Sequence, residues 1–507
     1  MGKMASDMND AANMAWIPTS YMLTSTAFSP IWGNLSDVFG RKIVLITAVL
    51  IFMTGSLLCA VSSTMIFLIG SRAIQGIGGG AVVSLVSIVI ADLVPLRDSP
   101  KYQGLIGGVF SLSSVLGPIL GGVFVDQATW RWAFWTQLPI GLLAILSFLF
   151  FLKSGTKRVG SSWDRLARID YWGILCLLIT IVTLLLGLSW GGQVYPWKSA
   201  PIISLFIISG VFIGITVFVE MKVAKEPICP PWLFTQRNLL SLYTGSFFTG
   251  FSFYAVLFYL PVFYQKTQFE SATASGLEML PIILGLSIFS VISGSLVSLS
   301  GRFRIFIWIG MFLLTLGAAL ISTLTQFSPK AMQICYLLIT GCGVGLALQT
   351  LIVAGQASVQ RKDLAAVTSL LTFWRTIGGV LGTGLCGTIY QNALQSNLST
   401  LLDPKAFAKI VSKSGADFSK ASSFDEVARV VEAYTRSLQL VYRTFVGFAA
   451  LALFATLFLQ HKEMGFGAKK EENKTNRIEP FEKAERTPKQ MKRQSELKME
   501  REKGRRM

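Results

Sequence analysis

Runs of about twenty apolar residues recur along the whole chain, and they leave few folds open. Ile202–Val219 and Phe306–Leu324 are two such runs, each long enough to cross a ~30 Å hydrocarbon layer as a helix. Inside hydrocarbon a backbone must satisfy its own N–H and C=O groups, so only helices and closed barrels span a bilayer. A barrel needs short segments of alternating polarity, whereas these runs are continuous. Composition agrees: of 507 residues, 52% are hydrophobic and 14% charged, against about 25% charged in soluble domains. The sequence predicts an all-α polytopic membrane protein and excludes a disordered chain, a coiled coil and a secreted disulfide scaffold.

Thirteen apolar segments are expected, roughly at 16–35, 43–64, 66–91, 103–125, 133–152, 169–189, 200–220, 239–264, 277–298, 304–323, 331–355, 367–390 and 438–460. The first is interrupted by Thr19, Ser20, Thr24, Ser25, Thr26 and Ser29, so it should face protein or a cavity rather than lipid. Short loops separate by charge. One alternate set carries Arg41, Lys42, Arg97, Lys101, Lys153, Lys157, Arg158, Arg165, Arg168, Lys222, Lys225, Arg237, Arg302, Arg304, Arg361 and Lys362; the other holds only Arg131, Lys198, Lys266 and Lys330. The positive-inside rule makes the first set cytosolic and the C-terminus with it. The loop 391–437 is then extracellular, and Asn397 in Asn397-Leu398-Ser399 is a candidate glycan acceptor; Asn34 and Asn473 fall inside and should stay bare. Thirteen spans with a cytosolic tail put residue 1 outside, although Met1–Asn13 has no apolar run resembling a signal peptide. Met1–Ala15 therefore reads as the remnant of an extracellular loop whose preceding helix is missing. The expected organisation is a loop remnant at 1–15, an N-terminal bundle at 16–152 without its first helix, a linker with two extra spans at 153–238, a C-terminal bundle at 239–460 and a charged, disordered tail at 461–507.

The net charge of +18 points to no nucleic acid, because the basic residues sit in short loops and in a tail where 15 basic residues meet 9 acidic ones. The six cysteines and the single histidine, His461, offer no metal spacing, so no metal is expected. No HExxH, Ser/His or paired-carboxylate constellation is present, and an enzyme is not expected.

The chain repeats itself. Gly33-Asn-Leu35-Ser-Asp37-Val-Phe-Gly40-Arg41-Lys42 is echoed by Gly294-Ser-Leu296-Val-Ser298-Leu-Ser-Gly301-Arg302 at an offset of 261 residues, and the same offset carries Gly117 to Gly378 and Gly121 to Gly382. Duplicated halves with a site between them are characteristic of secondary transporters. Gly33–Lys42 resembles the loop signature GxLaDrxGrk of the major facilitator superfamily. Arg72-Ala-Ile-Gln75-Gly76-Ile-Gly78 is similar to its RxxQGxG helix motif. Gly107 with Gly117-Pro118-Ile-Leu-Gly121-Gly122 resembles the antiporter signature. Trp130-Arg131-Trp132-Ala-Phe134 with Leu138-Pro139-Ile-Gly141 is similar to a segment of the fourteen-helix drug:proton antiporters, and Tyr259–Gln265 and Trp190–Trp197 resemble fungal members of that group. Departures are Gln137 where Asn is common and Ser298 in place of the loop Asp; the family's first helix, with its acidic residue, is absent from the sequence as given.

The resemblance implies two six-helix bundles with two extra helices between them, and proton-coupled export of small amphipathic organic compounds or drugs. It implies partners that are lipid, protons and a small substrate, a monomer, no cofactor beyond the proton gradient, and a plasma membrane in preference to a vacuolar one. A vacuolar basic amino acid or siderophore transporter has the same fold, and a transport-dead sensor is the reading from another class. Gly33, Asp37, Gly40, Arg41 and Lys42 are expected to form a conformational latch, with Asp37 capping the next helix and pairing with a basic group. An arginine at membrane depth needs an interior partner, so Arg72 with Gln75, which shares its helix face, is expected to line a cavity and handle protons or substrate. Arg375 is expected as its counterpart in the other half, and Gln349 as a further cavity residue. Gly117 and Pro118 should bend their helix, with Gly121 and Gly122 admitting a close neighbour. Trp130, Trp132 and Trp135 should anchor at a membrane interface, and Phe251 or Tyr254 is a candidate substrate contact.

Overall fold

A computed structural model describes residues 4, 7, 8, 16–95, 97–152, 170–191, 195–224, 228–360, 363–402, 411–412, 415–416 and 424–460. The residues up to His461 form one compact unit; the tail beyond it, with Asn473, lies outside the described residues, as do Lys153–Ile169. Among the described residues thirteen long helices follow one another: α1 (Trp16–Phe39), α2 (Arg41–Ala60), α3 (Met65–Leu93), α4 (Ser99–Gln127), α5 (Gln137–Phe151, preceded by a turn of helix at Trp132–Trp135), α6 (Tyr171–Trp190), α7 (Ala200–Lys222), α8 (Arg237–Thr267), α9 (Leu280–Ser300, preceded by Ala272–Leu277), α10 (Phe303–Ile321), α11 (Lys330–Ser358), α12 (Leu364–Leu401) and α13 (Phe424–Leu457). Each expected apolar segment is a helix. Eleven of them are long and apolar enough to cross a membrane; α1 and α4 are not among those eleven.

Local chemistry sets the helix ends. Thr64 caps α3 by accepting from the Phe67 N–H at 3.3 Å, and Asp170 caps α6 by accepting from the Gly173 N–H at 2.8 Å. Gly301 ends α9 at φ 70°, a conformation that costs glycine nothing. Within the helices, Ser and Thr hydroxyls donate back to carbonyls one turn earlier, as Thr249 does to Gly245 at 2.7 Å and Thr368 to Leu364 at 2.8 Å, which removes unsatisfied polar atoms from an apolar setting. The polar α1 faces protein as expected: Ser20, Thr26, Ser29 and Ser36 are buried, Thr24 Oγ1 donates to the Ala73 carbonyl at 2.8 Å, and Trp32 Nε1 donates to the Ile77 carbonyl at 2.8 Å.

The packing is pseudo-symmetric at the sequence offset. In the first half α3 packs on α1 and α2, and α2 on α5; in the second, α11 packs on α9 and α10, and α10 on α13. Smaller contacts such as α3 with α12 and α4 with α11 aside, two helix pairs join the halves, α1 with α12 and α4 with α9. Both touch at the end of the bundle that carries Arg41, Arg97 and Arg302, here called the basic end. A Cβ added to Gly33 on α1 would lie 3.3 Å from the Ala365 carbonyl and 2.2 Å from Ser369 Oγ on α12; one added to Gly294 on α9 would lie 2.3 Å from the Pro100 carbonyl and 3.0 Å from Gly104 Cα on α4. Gly33 and Gly294 are offset mates, and so are Gly104 and Ala365, so a single contact occurs twice. The extra helix α6 packs against both α1 and α12, with α7 behind it. Glu220 near the end of α7 is buried and accepts the Ile228 and Cys229 N–H groups at 3.2 Å, which fixes the connection toward α8.

One expected loop is largely helical. Residues 391–401 continue α12 and residues 424–437 begin α13, because Leu394, Leu398, Val430 and Tyr434 form an apolar cluster between the two extensions. Asn397 therefore sits on a helix, half-buried, with its Nδ2 donating to Ser437 Oγ at 2.8 Å, rather than in an open loop. A two-residue antiparallel pair, Val411–Ser412 with Gly415–Ala416, lies between these helices in sequence.

Candidate functional site

A cavity of about 580 Å³ lies between the halves, lined by α1, α3, α4, α8, α9, α11 and α12. Its apolar wall includes Tyr21, Met22, Phe110, Phe253, Tyr254 and Phe258; its polar groups include Arg72, Gln349 and Arg375. Aromatic and apolar walls with a few placed polar groups are the usual make-up of a small-molecule site. A second cavity of about 240 Å³, lined by Pro18, Met22, Leu185, Phe258, Tyr259 and Thr383, shares several of these residues. It lies where α1 and α12 run from the basic end toward the opposite one.

Arg72 is held by its surroundings. Its Nη1 donates to Gln75 Oε1, its Nε to the Ile17 carbonyl at 3.3 Å, and its guanidinium lies 4.5 Å from the Tyr21 ring centre and 5.9 Å from that of Phe134. Gln75 is itself buried and turns away from the cavity, contrary to expectation. Its Nε2 donates to Ser56 Oγ at 2.8 Å and to Gln137 Oε1 at 2.6 Å. The reason is close backbone packing: a Cβ on Gly55 of α2 would lie 2.4 Å from the Gln75 N, so the Gln75 side chain is walled in against α2 and α5. Ser56 and Gln137 are thus part of the site's support. Their signal in the sequence was polarity within an apolar run, and for Gln137 its place just after the Trp-Arg-Trp segment.

Arg375 lies on the same cavity but is not the register mate of Arg72, which the 261-residue offset pairs with Gln333, while Arg375 pairs with Ser114 on α4. The Arg375 backbone is pinned because Gly250 of α8 presses on it; a Cβ there would lie 2.0 Å from the Arg375 carbonyl. Gly378 and Gly382 receive α8 in the same way, at the Phe247 and Phe251 carbonyls. Their offset mates behave differently. No described atom lies within 4 Å of a Cβ added to Gly117 or Gly121, so the expected close neighbour is not there among the described residues. Helix α4 runs through Gly117 and Pro118 as one element; the side chain of Pro118, and Gly122, lie outside the described set. Tyr254 lines the cavity, whereas Phe251 is buried in the second half's core and stacks on Phe448 at 3.8 Å.

The basic-end loop is built differently from expectation. Helix α1 runs through Asp37, so Gly40, at φ 93°, is the cap of α2 and no side chain caps it. Asp37 instead pairs with Arg41 at 2.7 Å, and Arg41 Nε also reaches Asp92 at the end of α3 at 2.7 Å. Lys42 Nζ donates to the Leu149 carbonyl at 2.8 Å. The loop thus ties α1, α2, α3 and α5 together within one half. At the opposite end, Trp130 is not an interface anchor. It is 1% exposed, its Nε1 donates to Asp7 at 2.9 Å, and Arg131 lies over its ring while donating to the Ser62 carbonyl at 2.8 Å. Trp132, at 52% exposed, and Trp135 lie on the surface.

Replacing Gln75 with Leu leaves Arg72, Ser56 and Gln137 short of partners in a buried setting. The expected cost is about 1–3 kcal/mol, read as a lower melting temperature of the detergent-solubilised protein; an unchanged melting temperature contradicts the network.

Comparison with known proteins agrees with this architecture. The profile described as Major Facilitator Superfamily matches residues 1–383. The chain is 34% identical over 462 residues to an uncharacterized MFS-type transporter of Mycobacterium tuberculosis, covering 90% of this chain and 65% of that protein; it thus spans just under two thirds of that relative's length. It is 33% identical to the efflux pump dotC of Dothistroma septosporum, over 91% of this chain and 80% of the pump. It is 36% identical to the multidrug transporter protein MdtP of Bacillus subtilis, over 79% and 72%. Among solved structures, the human organic anion transporter MFSD10 superposes with a TM-score of 0.59 at 17% identity, covering 87% of this chain and 83% of that one, a likeness of fold. With the helix order, the paired halves and the central cavity, these matches establish that the chain belongs to the major facilitator superfamily.

Proposed function

We propose that this protein is a secondary active transporter that exports small amphipathic organic compounds in exchange for protons. The observation that carries the reading is the central cavity: about 580 Å³, aromatic-walled, shared by both halves and sealed at the basic end by the two glycine contacts. The charge asymmetry of the loops makes that end cytosolic, so this reading has the cavity closed on the cytosolic side. The efflux and multidrug names of relatives at 33–36% identity support export. The energetics suffice. A proton entering down ~100 mV yields about 2.3 kcal/mol and one pH unit adds about 1.4 kcal/mol, enough for an export gradient of several hundred-fold for a neutral substrate.

In proteoliposomes with an imposed pH gradient, addition of a panel of amphipathic anionic, neutral and cationic compounds should produce compound-dependent proton movement, and Arg72→Ala should abolish it. Proton movement that survives Arg72→Ala contradicts the role of Arg72. No proton movement with any compound contradicts the coupling.

A further inference from the structure

Both charged side chains on the described wall of the cavity are arginines, and they are held very differently. Arg72 has Gln75, the Ile17 carbonyl and two aromatic faces around it. The Arg375 side chain makes no hydrogen bond, ion pair or ring contact with any described residue, and its Nε is buried without a partner. Gln349, on the facing helix α11, also points a buried, unpartnered amide oxygen at this cavity.

Arg375 lies eleven residues into α12, about 16 Å along the helix axis. A guanidinium cannot shed its proton, and an unpaired charge at membrane depth is costly. The Arg375 backbone is fixed against α8 by the close approach of Gly250. Two fixed positive charges in one low-dielectric cleft raise its potential and concentrate anions there. A cationic compound meets like charge at both residues, and a neutral one leaves Arg375 unpaired.

We propose that Arg375 is the anion-binding residue of this cavity and that the compound carried is an organic anion, with an aromatic or apolar body and one carboxylate, sulfonate or phosphate group. The anionic group sits on the Arg375 fork, where two parallel N–H donors match it. Turned about its last bond, the Gln349 amide adds a further N–H donor. The body lies against Tyr21, Phe110, Tyr254 and Phe258. This rests on the transport reading for movement of the compound, and on the cavity alone for its binding.

The test uses three probes of one shape on the purified full chain: naphthalene-1-sulfonate, its neutral sulfonamide and 1-naphthylmethylammonium. Binding is read by thermal shift and by quenching of intrinsic fluorescence. The sulfonate should bind on the order of tenfold more tightly than the sulfonamide, and the ammonium compound should bind more weakly than either. Arg375→Gln should remove the preference for sulfonate while keeping a cooperative thermal unfolding transition without ligand, which shows that the variant is folded; Arg375→Lys should retain part of the preference. Sulfonamide or ammonium binding equal to that of the sulfonate, a preference that survives Arg375→Gln, or no sulfonate binding at all overturns the proposal. Selective sulfonate binding without flux in proteoliposomes upholds the anion site and contradicts the transport reading instead.

Discussion

The halves of this protein meet backbone to backbone, and at the basic end there is no room for a Cβ between them. Gly33 lies against Ala365 and Ser369, and Gly294 against Pro100 and Gly104. In a bilayer, apolar side chains gain nothing by leaving lipid for one another, so helices associate through close van der Waals fit, which small residues permit. The consequence is a seal that is tight in shape and modest in energy. It closes one end of the cavity, beside the loop where Arg41 pairs with Asp37 and Asp92 within the first half. The same close fit sets the cavity's contents. Gly55 walls in Gln75 so that its partner Arg72 is held to the cavity, and Gly250 pins the backbone of Arg375.

Much of this was legible in the sequence. Thirteen apolar segments became thirteen helices, because an apolar run of twenty residues has only one way to satisfy its backbone in lipid. The polar pattern of α1 foretold burial in protein, and the 261-residue repeat foretold duplicated halves with a site between them. The repeat also relates the two glycine contacts, since Gly33 and Gly294 occupy the same place in each half. What failed did so for tertiary reasons. Helix extensions over 391–401 and 424–437 were hidden because their apolar cluster forms only when α12 and α13 meet. Asp37 has the chemistry of a cap, but α1 continues through it and its carboxylate meets Arg41 instead. Gln75 shares a helix face with Arg72, yet the closeness of α2 turns it inward. Trp130 reads as an interface residue until Asp7 and Arg131 are seen around it.

The cavity residues show the limit most plainly. Arg72 and Arg375 look alike in sequence as lone arginines in apolar helices. In the structure one has hydrogen-bond and ring partners and the other has none among the described residues, a difference set by the packed bundle: Ile17, Tyr21, Gln75 and Phe134 surround Arg72, while Gly250 fixes only the backbone of Arg375. Apolar runs report where a helix crosses, but the partner of a polar side chain is a property of the packed bundle.

The central claim is that the two halves alternate around this cavity, closing at the basic end by the paired glycine contacts. Its most direct test is a set of distances between spin labels on exposed positions flanking those contacts, at residues 101 and 300 near the basic end and 127 and 277 near the opposite one. With the pH gradient reversed, the 101–300 distance should lengthen while the 127–277 distance shortens. A 101–300 distance that stays fixed across both gradient directions contradicts the account.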